Sequence, residues 1–453
     1  MPGLRQALAI ASVLSAMALV VLDANIVNVA LPSIARSLRV TAAQSVWVVT
    51  TYQAALLMGL LPIADLAQGT GLRRTFRGGI VAFVLASLGC AMAPTLGWLV
   101  AARFVQGLGG AAVMALGIAM IRATVTPARL GDAIGWNALT VALCSAAGPT
   151  VGAAILSAAS WHFLFLANLP LGALALIASM ALPVAPGTGR SVDLISVACL
   201  AGGVGGLILG VELSAAQPPA AAVLAACGAS FLTLLWRREL PKPAPLVPLD
   251  LLRIPSFRLS VLASMSCFAG QAAALIALPF YLQQAMRLDT MTTGLILALW
   301  ALTVAVAGPL SGRLSARIET GLLSAAGCAT LALGLAAFAL WPIGAQPHLL
   351  AIPATVCGAG FGLFQVPNNR SLFLSAPEAR SAAAGGMQGT ARLTGQSCGA
   401  LAITLLLGSA TIETAARTGL ALGAIVVGGA ALASLARIPG TARQAASSSA
   451  SSP

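Results

Sequence analysis

The residue with the clearest chemical potential is an aspartate inside an apolar run. Residues 17–32 read MALVVLDANIVNVALP, in which Asp23 precedes Asn25 and Asn28. A charge at the centre of a membrane helix costs about 2.5–3.5 kcal/mol on insertion scales. With about 100° of rotation per residue, Asp23 shares a helix face with Ser12, and the asparagines lie opposite. We predict that Asp23 faces a central cavity and that the asparagines bond neighbouring helices; the alternative is a satisfied structural carboxylate.

A second polar group lies in the run RFVQGLGGA. Arg103 and Gln106 are three residues apart, and Gly107 and Gly110 continue the same helix face. A guanidinium in a membrane needs a carboxylate, a carbonyl or water beside it, and glycines allow close approach of another backbone. The pattern predicts a polar site at a helix contact, or else a packing seam whose arginine extends to the membrane surface.

Three further side chains are candidates for a substrate cavity, to which we also assign Asn28. Arg392 and Gln396 lie four residues apart in GTARLTGQ and share a face; the alternative for Arg392 is an anchor between helices at the cytoplasmic side. Trp47 either stacks on a planar cation or belongs to the outer aromatic belt.

Two glycine-containing segments predict helix contacts. Gly148, Pro149 and Gly152 in SAAGPTVGA place a proline kink beside a face of small residues, which suits a tight helix seam. The segment ADLAQGTGLRRTFRGG joins two apolar runs, and we interpret four of its residues as a cytoplasmic loop gate or simply as an orientation signal. These are Gln68, Gly71, Arg73 and Arg74.

Composition places all these residues in a membrane. Of 453 residues, 59% are hydrophobic and 8% are charged, with a mean hydropathy of +0.96; soluble domains carry about 25% charged residues. The net charge of +13 lies in short connections without interleaved aromatic residues, so nucleic acid is not an expected partner. The eight cysteines form no CxxC pair, and the chain has two histidines. We therefore expect no metal, no cofactor and no enzyme activity.

A helix needs about 20 apolar residues to cross a bilayer, and fourteen runs meet this condition. They are 8–32, 44–66, 78–97, 99–122, 131–158, 162–183, 193–213, 219–236, 258–284, 291–311, 321–341, 348–367, 382–409 and 417–437.

The basic residues predict the orientation of these runs. With the N-terminus inside, most of the 24 Lys and Arg residues fall in cytoplasmic segments. Those on the other side are Arg36, Arg39, Arg287 and Arg417. Both termini are therefore expected in the cytoplasm.

Taken together, the motifs resemble the fourteen-helix drug:proton antiporter branch of the major facilitator superfamily. The resemblance rests on LDANIVNVALP, SVWVVTTYQ, GLRRTFRGG, RFVQGLGGA, AAGPTVGA and FLFLANLPLG, with weaker matches in the second half, and it covers essentially the whole chain. The chain departs from the family pattern in the loop after the second apolar run. Gln68 stands at the position that is usually acidic, and Gly69 stands at the position of the first basic residue. Asn25 also replaces the usual threonine of the first helix.

The resemblance implies an all-α membrane protein with two six-helix bundles and two inserted helices. We expect an N-terminal bundle over 1–192, inserted helices over 193–236, a linker over 237–257, a second bundle over 258–437 and a disordered tail over 438–453. It further implies a site between the bundles that opens alternately to either side.

The function implied is proton-coupled export of lipophilic, often cationic compounds, with Asp23, Arg103 and Gln106 coupling protons to substrate. The expected partners are a small-molecule substrate, protons and the lipid bilayer, and the expected state is a monomer. Two alternatives stay open here: an exporter or importer of one metabolite, possibly anionic, and a membrane sensor that transports nothing.

Overall fold

The structure is a computed structural model that describes residues 3–184, 193–213, 217–240, 250–315, 317–342, 346–377 and 381–437. Fourteen helical segments occupy most of these ranges. Their bounds are Gly3–Leu38 (α1), Ala42–Thr70 (α2), Leu72–Ala91 (α3), Leu96–Thr124 (α4), Pro127–Ala158 (α5), His162–Ala181 (α6), Leu194–Leu213 (α7), Pro218–Glu239 (α8), Pro255–Ala285 (α9), Thr290–Leu314 (α10), Thr320–Leu340 (α11), Pro347–Ser375 (α12), Ser381–Ser409 (α13) and Ile412–Leu435 (α14).

The prediction of an all-helical membrane protein with fourteen helices is confirmed. Among the described residues, 12 helices are long and apolar enough to cross a bilayer, and α5 contains a shorter apolar stretch, Leu143–Ala158. The third predicted run, 78–97, is displaced, because α3 begins at Leu72 and ends at Ala91. The helix starts earlier than predicted because arginines at the membrane surface do not interrupt a helix. It ends earlier than predicted because Pro94 disfavours helical backbone at the residue before it.

Local sequence explains several helix ends. Thr41 starts α2 with a capping box, in which its hydroxyl accepts from the Gln44 N–H and the Gln44 side chain accepts from the Thr41 N–H. Thr95 caps α4 by accepting from the Trp98 N–H. Within α6 the regular helix stops at Leu166 and restarts at Asn168. Pro170 explains this break, because it lacks the N–H that would bond four residues back.

The chain divides into two compact units. Unit 1 comprises Met1–Arg238 with Asp289–Leu295, and unit 2 comprises Glu239–Leu288 with Ile296–Pro453. The expected inserted helices, α7 and α8, therefore belong to unit 1. The five segments expected from the sequence stay a prediction, and the tail over 438–453 lies outside the described residues.

Glycines on α4 allow that helix to pack closely against both α2 and α3. A Cβ on Gly107 would lie 2.6 Å from the Tyr52 carbonyl oxygen on α2, and one on Gly109 would lie 2.7 Å from the Gly79 carbonyl oxygen on α3. Only a residue without a Cβ fits at such a distance. The run QGLGGA thus holds α4 between two neighbours and brings its polar face into the interior of unit 1.

The first testable prediction concerns this contact. Gly109→Ala is expected to lower the free energy of unfolding by about 1–3 kcal/mol, because overpacking forces helices apart. Gly97→Ala on the same helix is the matched control, since a Cβ there meets no atom within 4 Å. Thermal unfolding of both variants in detergent measures the difference, and equal melting temperatures would contradict the packing argument.

The same kind of contact recurs between α5 and α1 and between α13 and α9. A Cβ on Gly148 would lie 2.6 Å from Asn25 Cβ, whereas Cβ atoms on Gly395 and Gly399 would approach the carbonyl oxygens of Met265 and Ala269 too closely. In both units, small residues of a later helix therefore lie directly on the first helix of that unit. In unit 1 the contact between α5 and α1 includes Gly148 and Gly152, which the sequence placed with Pro149 in a predicted helix seam.

Candidate functional site

The centre of unit 1 contains a buried ion pair. Arg103 Nη1 lies 2.5 Å from Asp23 Oδ2, and the two side chains are 1% and 2% exposed. Arg103 is on the second turn of α4, and Asp23 lies near the middle of α1. A buried pair loses the hydration of both charges, so it is favourable only when further hydrogen bonds surround it.

Those hydrogen bonds come from three other helix positions. Asn168 Nδ2 donates to Asp23 Oδ1 at 2.7 Å, and Gln106 Nε2 donates to the same oxygen at 3.1 Å. Gln106 also accepts from Arg103 Nη1 at 2.6 Å and donates to Ser87 Oγ at 2.8 Å. We call Asp23, Ser87, Arg103, Gln106 and Asn168 the polar network.

Arg103 has a second set of partners on α2 and α6. Its Nε donates to the Val48 carbonyl oxygen at 3.0 Å, and its guanidinium lies over the Tyr52 ring at 4.0 Å from the centroid. The Phe165 ring is 5.7 Å away. Ring faces attract a cation, so the arginine keeps part of its stabilisation when its charge partner is neutral.

The network depends on the local structure of α4 and α6. Gly107 and Gly109 bring α4 against its neighbours, which points the Arg103 and Gln106 face inward. The break before Asn168 places that residue at the start of a new helical piece, where its amide reaches Asp23. Helices α4 and α6 thus meet α1 at a single carboxylate.

In this arrangement, a proton that binds Asp23 would neutralise the carboxylate and remove the ion pair with Arg103. Asp23 accepts hydrogen bonds from three side chains, and Arg103 is the donor to Oδ2. Protonation removes the negative charge and leaves Arg103 as a buried cation, an expensive state without rearrangement. The site can therefore link one protonation event to a change of structure.

Two expectations for α1 are corrected. Asp23 faces the interior of unit 1 and not a cavity, because Arg103 and Asn168 enclose it. Asn25 and Asn28 donate to the carbonyl oxygens of Val21 and Ala24 on their own helix, so they do not bond neighbouring helices. An amide four residues after a carbonyl can donate to it within the same helix. The shared face of Ser12 and Asp23 is present, because Ser12 Oγ donates to the Ala175 carbonyl oxygen on α6.

The other predicted site residues lie apart from the network. Trp47 and Asn28 are half-buried in unit 1, and Arg392 and Gln396 are half-buried on α13 in unit 2. Their assignment to a substrate cavity stays a prediction.

The predicted loop gate forms the junction between α2 and α3. Gly71 connects the helices with φ of 99°, which favours glycine. Gln68 is exposed, and Arg73 Nη2 donates to the Met180 carbonyl oxygen at 3.1 Å. Its action as a gate also stays a prediction.

Sequence reasoning missed Asn168 as a partner of Asp23 and Ser87 as a member of the polar network. The signal for Asn168 was present, because it is an amide inside the apolar run FLFLANLPLG. A polar side chain at that depth requires a hydrogen-bond partner. Ser87 carried no such signal, since a serine satisfies itself on its own helix, and here its hydroxyl also donates to the Phe83 carbonyl oxygen.

Unit 2 has a polar cluster of different character, centred on Arg437. Its guanidinium donates to Ser260 Oγ at 2.8 Å, Asn368 Oδ1 at 2.9 Å and Ser434 Oγ at 2.7 Å, all neutral oxygens. Burial lowers the pKa of Arg437 to about 10, which leaves it charged at neutral pH. The cluster ties together the ends of α9, α12 and α14, and it contains no titratable carboxylate among the described residues.

A comparison with protein families now identifies the chain. Residues 13–400 match the Major Facilitator Superfamily. The chain belongs to this superfamily. Its members are transporters, so the protein is a transporter of small molecules and not an enzyme. The family expected from the motifs is thereby confirmed.

Three similar proteins are named for different functions. The Uncharacterized transporter YebQ of Escherichia coli (strain K12) is 43% identical over 409 residues, which cover 88% of each chain. The Riboflavin transporter RibZ of Clostridioides difficile (strain 630) is 26% identical over 82% of this chain and 81% of its own. The Multidrug resistance protein Stp of Mycobacterium tuberculosis (strain ATCC 25618 / H37Rv) is 29% identical over 87% and 75%.

A solved structure supports the fold alone. A POT family transporter, crystallised with a thioalcohol-conjugated peptide, superimposes with a TM-score of 0.70 over 95% of both chains at 14% sequence identity. At that identity the likeness shows that the two proteins share a helical architecture, and it says nothing about the substrate of this chain.

Proposed function

We propose that this transporter is a proton-coupled antiporter of the fourteen-helix drug branch, which exports lipophilic, cationic drugs or biocides by alternating access. It would act in the cell inner membrane as a monomer with both termini in the cytoplasm and contribute to antibiotic resistance. The observation that carries the proposal is the buried Asp23–Arg103 pair within a network of hydrogen bonds. Relatives named as multidrug resistance proteins support the substrate class.

Charge balance gives the proposed coupling its direction. With Asp23 ionised, the pair is neutral overall and does not repel a cation bound nearby. With Asp23 protonated, Arg103 adds one positive charge to a medium of low dielectric constant, which disfavours a cation. Proton binding therefore promotes release of a cationic substrate, and proton loss promotes its binding, which is the condition for antiport.

The direct test uses purified protein in proteoliposomes with an imposed pH gradient. We expect a quaternary cation to move against its concentration gradient and a protonophore to abolish this movement. Proteoliposomes without protein control for leakage. Cation movement that ignores the protonophore would contradict proton coupling.

A second candidate function is the transport of one metabolite, possibly an anion. The relative named as a riboflavin transporter favours it. Arg437 in unit 2 also favours it, because this buried cation has no carboxylate among its partners in the described part of the chain. The same proteoliposomes distinguish the two functions when riboflavin and an organic anion replace the cation. Saturable, gradient-dependent uptake of one of these, with none of the cation, would favour the second function.

A further inference from the structure

An arginine-lined cleft opens at one end of unit 1, away from the polar network. It has a volume of about 580 Å³ and is formed by the α2–α3 junction, the first turns of α3 and the end of α6. Arg73, Arg74 and Arg77 line one side of it, and Val81, Leu176 and Val184 line another. The cleft thus combines three positive charges with an apolar wall.

The charges in this cleft have no acidic partner within the described part of the chain. Arg73 bonds only the Met180 carbonyl oxygen, and Arg77 Nε is buried without a hydrogen-bond partner. Arg74 is exposed, and Asp65, two helical turns away on α2, forms no ion pair with any of them. Three guanidiniums within one and a half turns repel one another unless an anion lies between them.

The backbone adds to the positive potential at the same place. α3 begins directly after Gly71, which offers no side chain to cap the first N–H groups of the helix. Such N–H groups and the helix dipole favour an anion. The arginines and the helix start therefore act on the same space.

The position of the cleft decides which anion fits. The basic residues of the chain predict that the α2–α3 junction lies at the cytoplasmic membrane surface. Val81 and Val184 are 38% and 73% exposed, and Ile177 and Met180 continue the apolar surface at 68% and 65%. Because α3 and α6 are long and apolar enough to span the membrane, this surface faces lipid, and a phospholipid can lie along it with its acyl chains while its phosphate meets the arginines.

We propose that the cleft binds the phosphate of an anionic phospholipid and that its acyl chains lie along α3 and α6. This site is separate from the polar network and does not depend on the proposed antiport. Its function would be to fix the α2–α3 junction to α6 at the membrane surface.

The test measures lipid binding to the full chain in nanodiscs of phosphatidylcholine with increasing phosphatidylglycerol. We expect native mass spectrometry to show one retained phosphatidylglycerol and the melting temperature to rise with its fraction. R73Q/R74Q/R77Q should weaken binding roughly 100-fold, since each basic side chain at a membrane surface contributes about fivefold. The matched control is R258Q/R313Q/R317Q, which removes three exposed arginines outside the cleft and should retain the lipid.

Two further arms complete the test. Arg74→Gln changes one exposed side chain, so it tests the site at about a fivefold loss even if the triple variant does not fold. Inorganic phosphate and glycerol 1-phosphate at millimolar concentration should not reproduce the stabilisation. Equal losses in the triple variant and its control, or equal stabilisation by soluble phosphate, would overturn the proposal.

Discussion

Asp23→Asn is expected to reduce proton-driven transport to the level of empty proteoliposomes while the protein still inserts and folds. The amide oxygen can replace Asp23 Oδ1 as the acceptor for Asn168 and Gln106. It cannot bind or release a proton, and it leaves Arg103 permanently without its counter-charge. The measurement is uptake of a quaternary cation driven by a pH gradient.

The matched control for this change is Asp65→Asn. It removes a half-buried carboxylate from α2 that has no ion pair in the described structure. We expect near-normal transport from this variant. Unchanged gradient-driven uptake by Asp23→Asn would show that the coupling group lies elsewhere. Loss of coupling with substrate exchange preserved would be the strongest support, because exchange requires the substrate site but no net proton movement.

The second large effect concerns stability. Arg103→Met is expected to lower the free energy of unfolding by about 3–5 kcal/mol, because it leaves Asp23 as an uncompensated buried charge. The double variant Asp23→Asn/Arg103→Met should recover most of this loss, since both charges are then absent. Thermal unfolding in detergent of the wild type, both single variants and the double variant gives the coupling energy of the pair.

An exposed ion pair in the same unit provides the control. Arg238 and Asp193 lie 3.2 Å apart, and their side chains are 38% and 32% exposed. Arg238→Met should cost only about 0.2–1 kcal/mol, because water screens such a pair. Equal losses from Arg103→Met and Arg238→Met would mean that the buried pair is solvated, and the coupling proposal would lose its physical basis.

The two buried arginines illustrate different uses of one side chain. Arg103 has a titratable partner, so its environment changes when a proton binds. Among the described residues, the hydrogen-bond partners of Arg437 are neutral hydroxyl and amide groups, which do not titrate near neutral pH. On this ground we propose that unit 1 couples protons to transport and that the Arg437 cluster is a structural tie.

Several features of this protein were determined by the sequence alone. The apolar runs predict fourteen helices because crossing a bilayer requires about 20 apolar residues, whatever the neighbours are. The three-residue spacing of Arg103 and Gln106 places them on one face, and QGLGGA predicts close helix packing. Asp23 could be recognised as unusual because a lone carboxylate in an apolar helix is costly. The superfamily followed from these motifs in order.

Only the tertiary structure decided what Asp23 contacts. Asn168 and Arg103 are 145 and 80 positions away along the chain, and helical periodicity specifies a face but not the helix that meets it. The expected cavity was therefore wrong for Asp23. The contacts of Asp23 with Arg103 and Asn168 depend on the glycine packing of α4 and on the break in α6, and both of these depend on several helices together. The three arginines of α3 likewise became one cleft only because the end of α6 lies beside them.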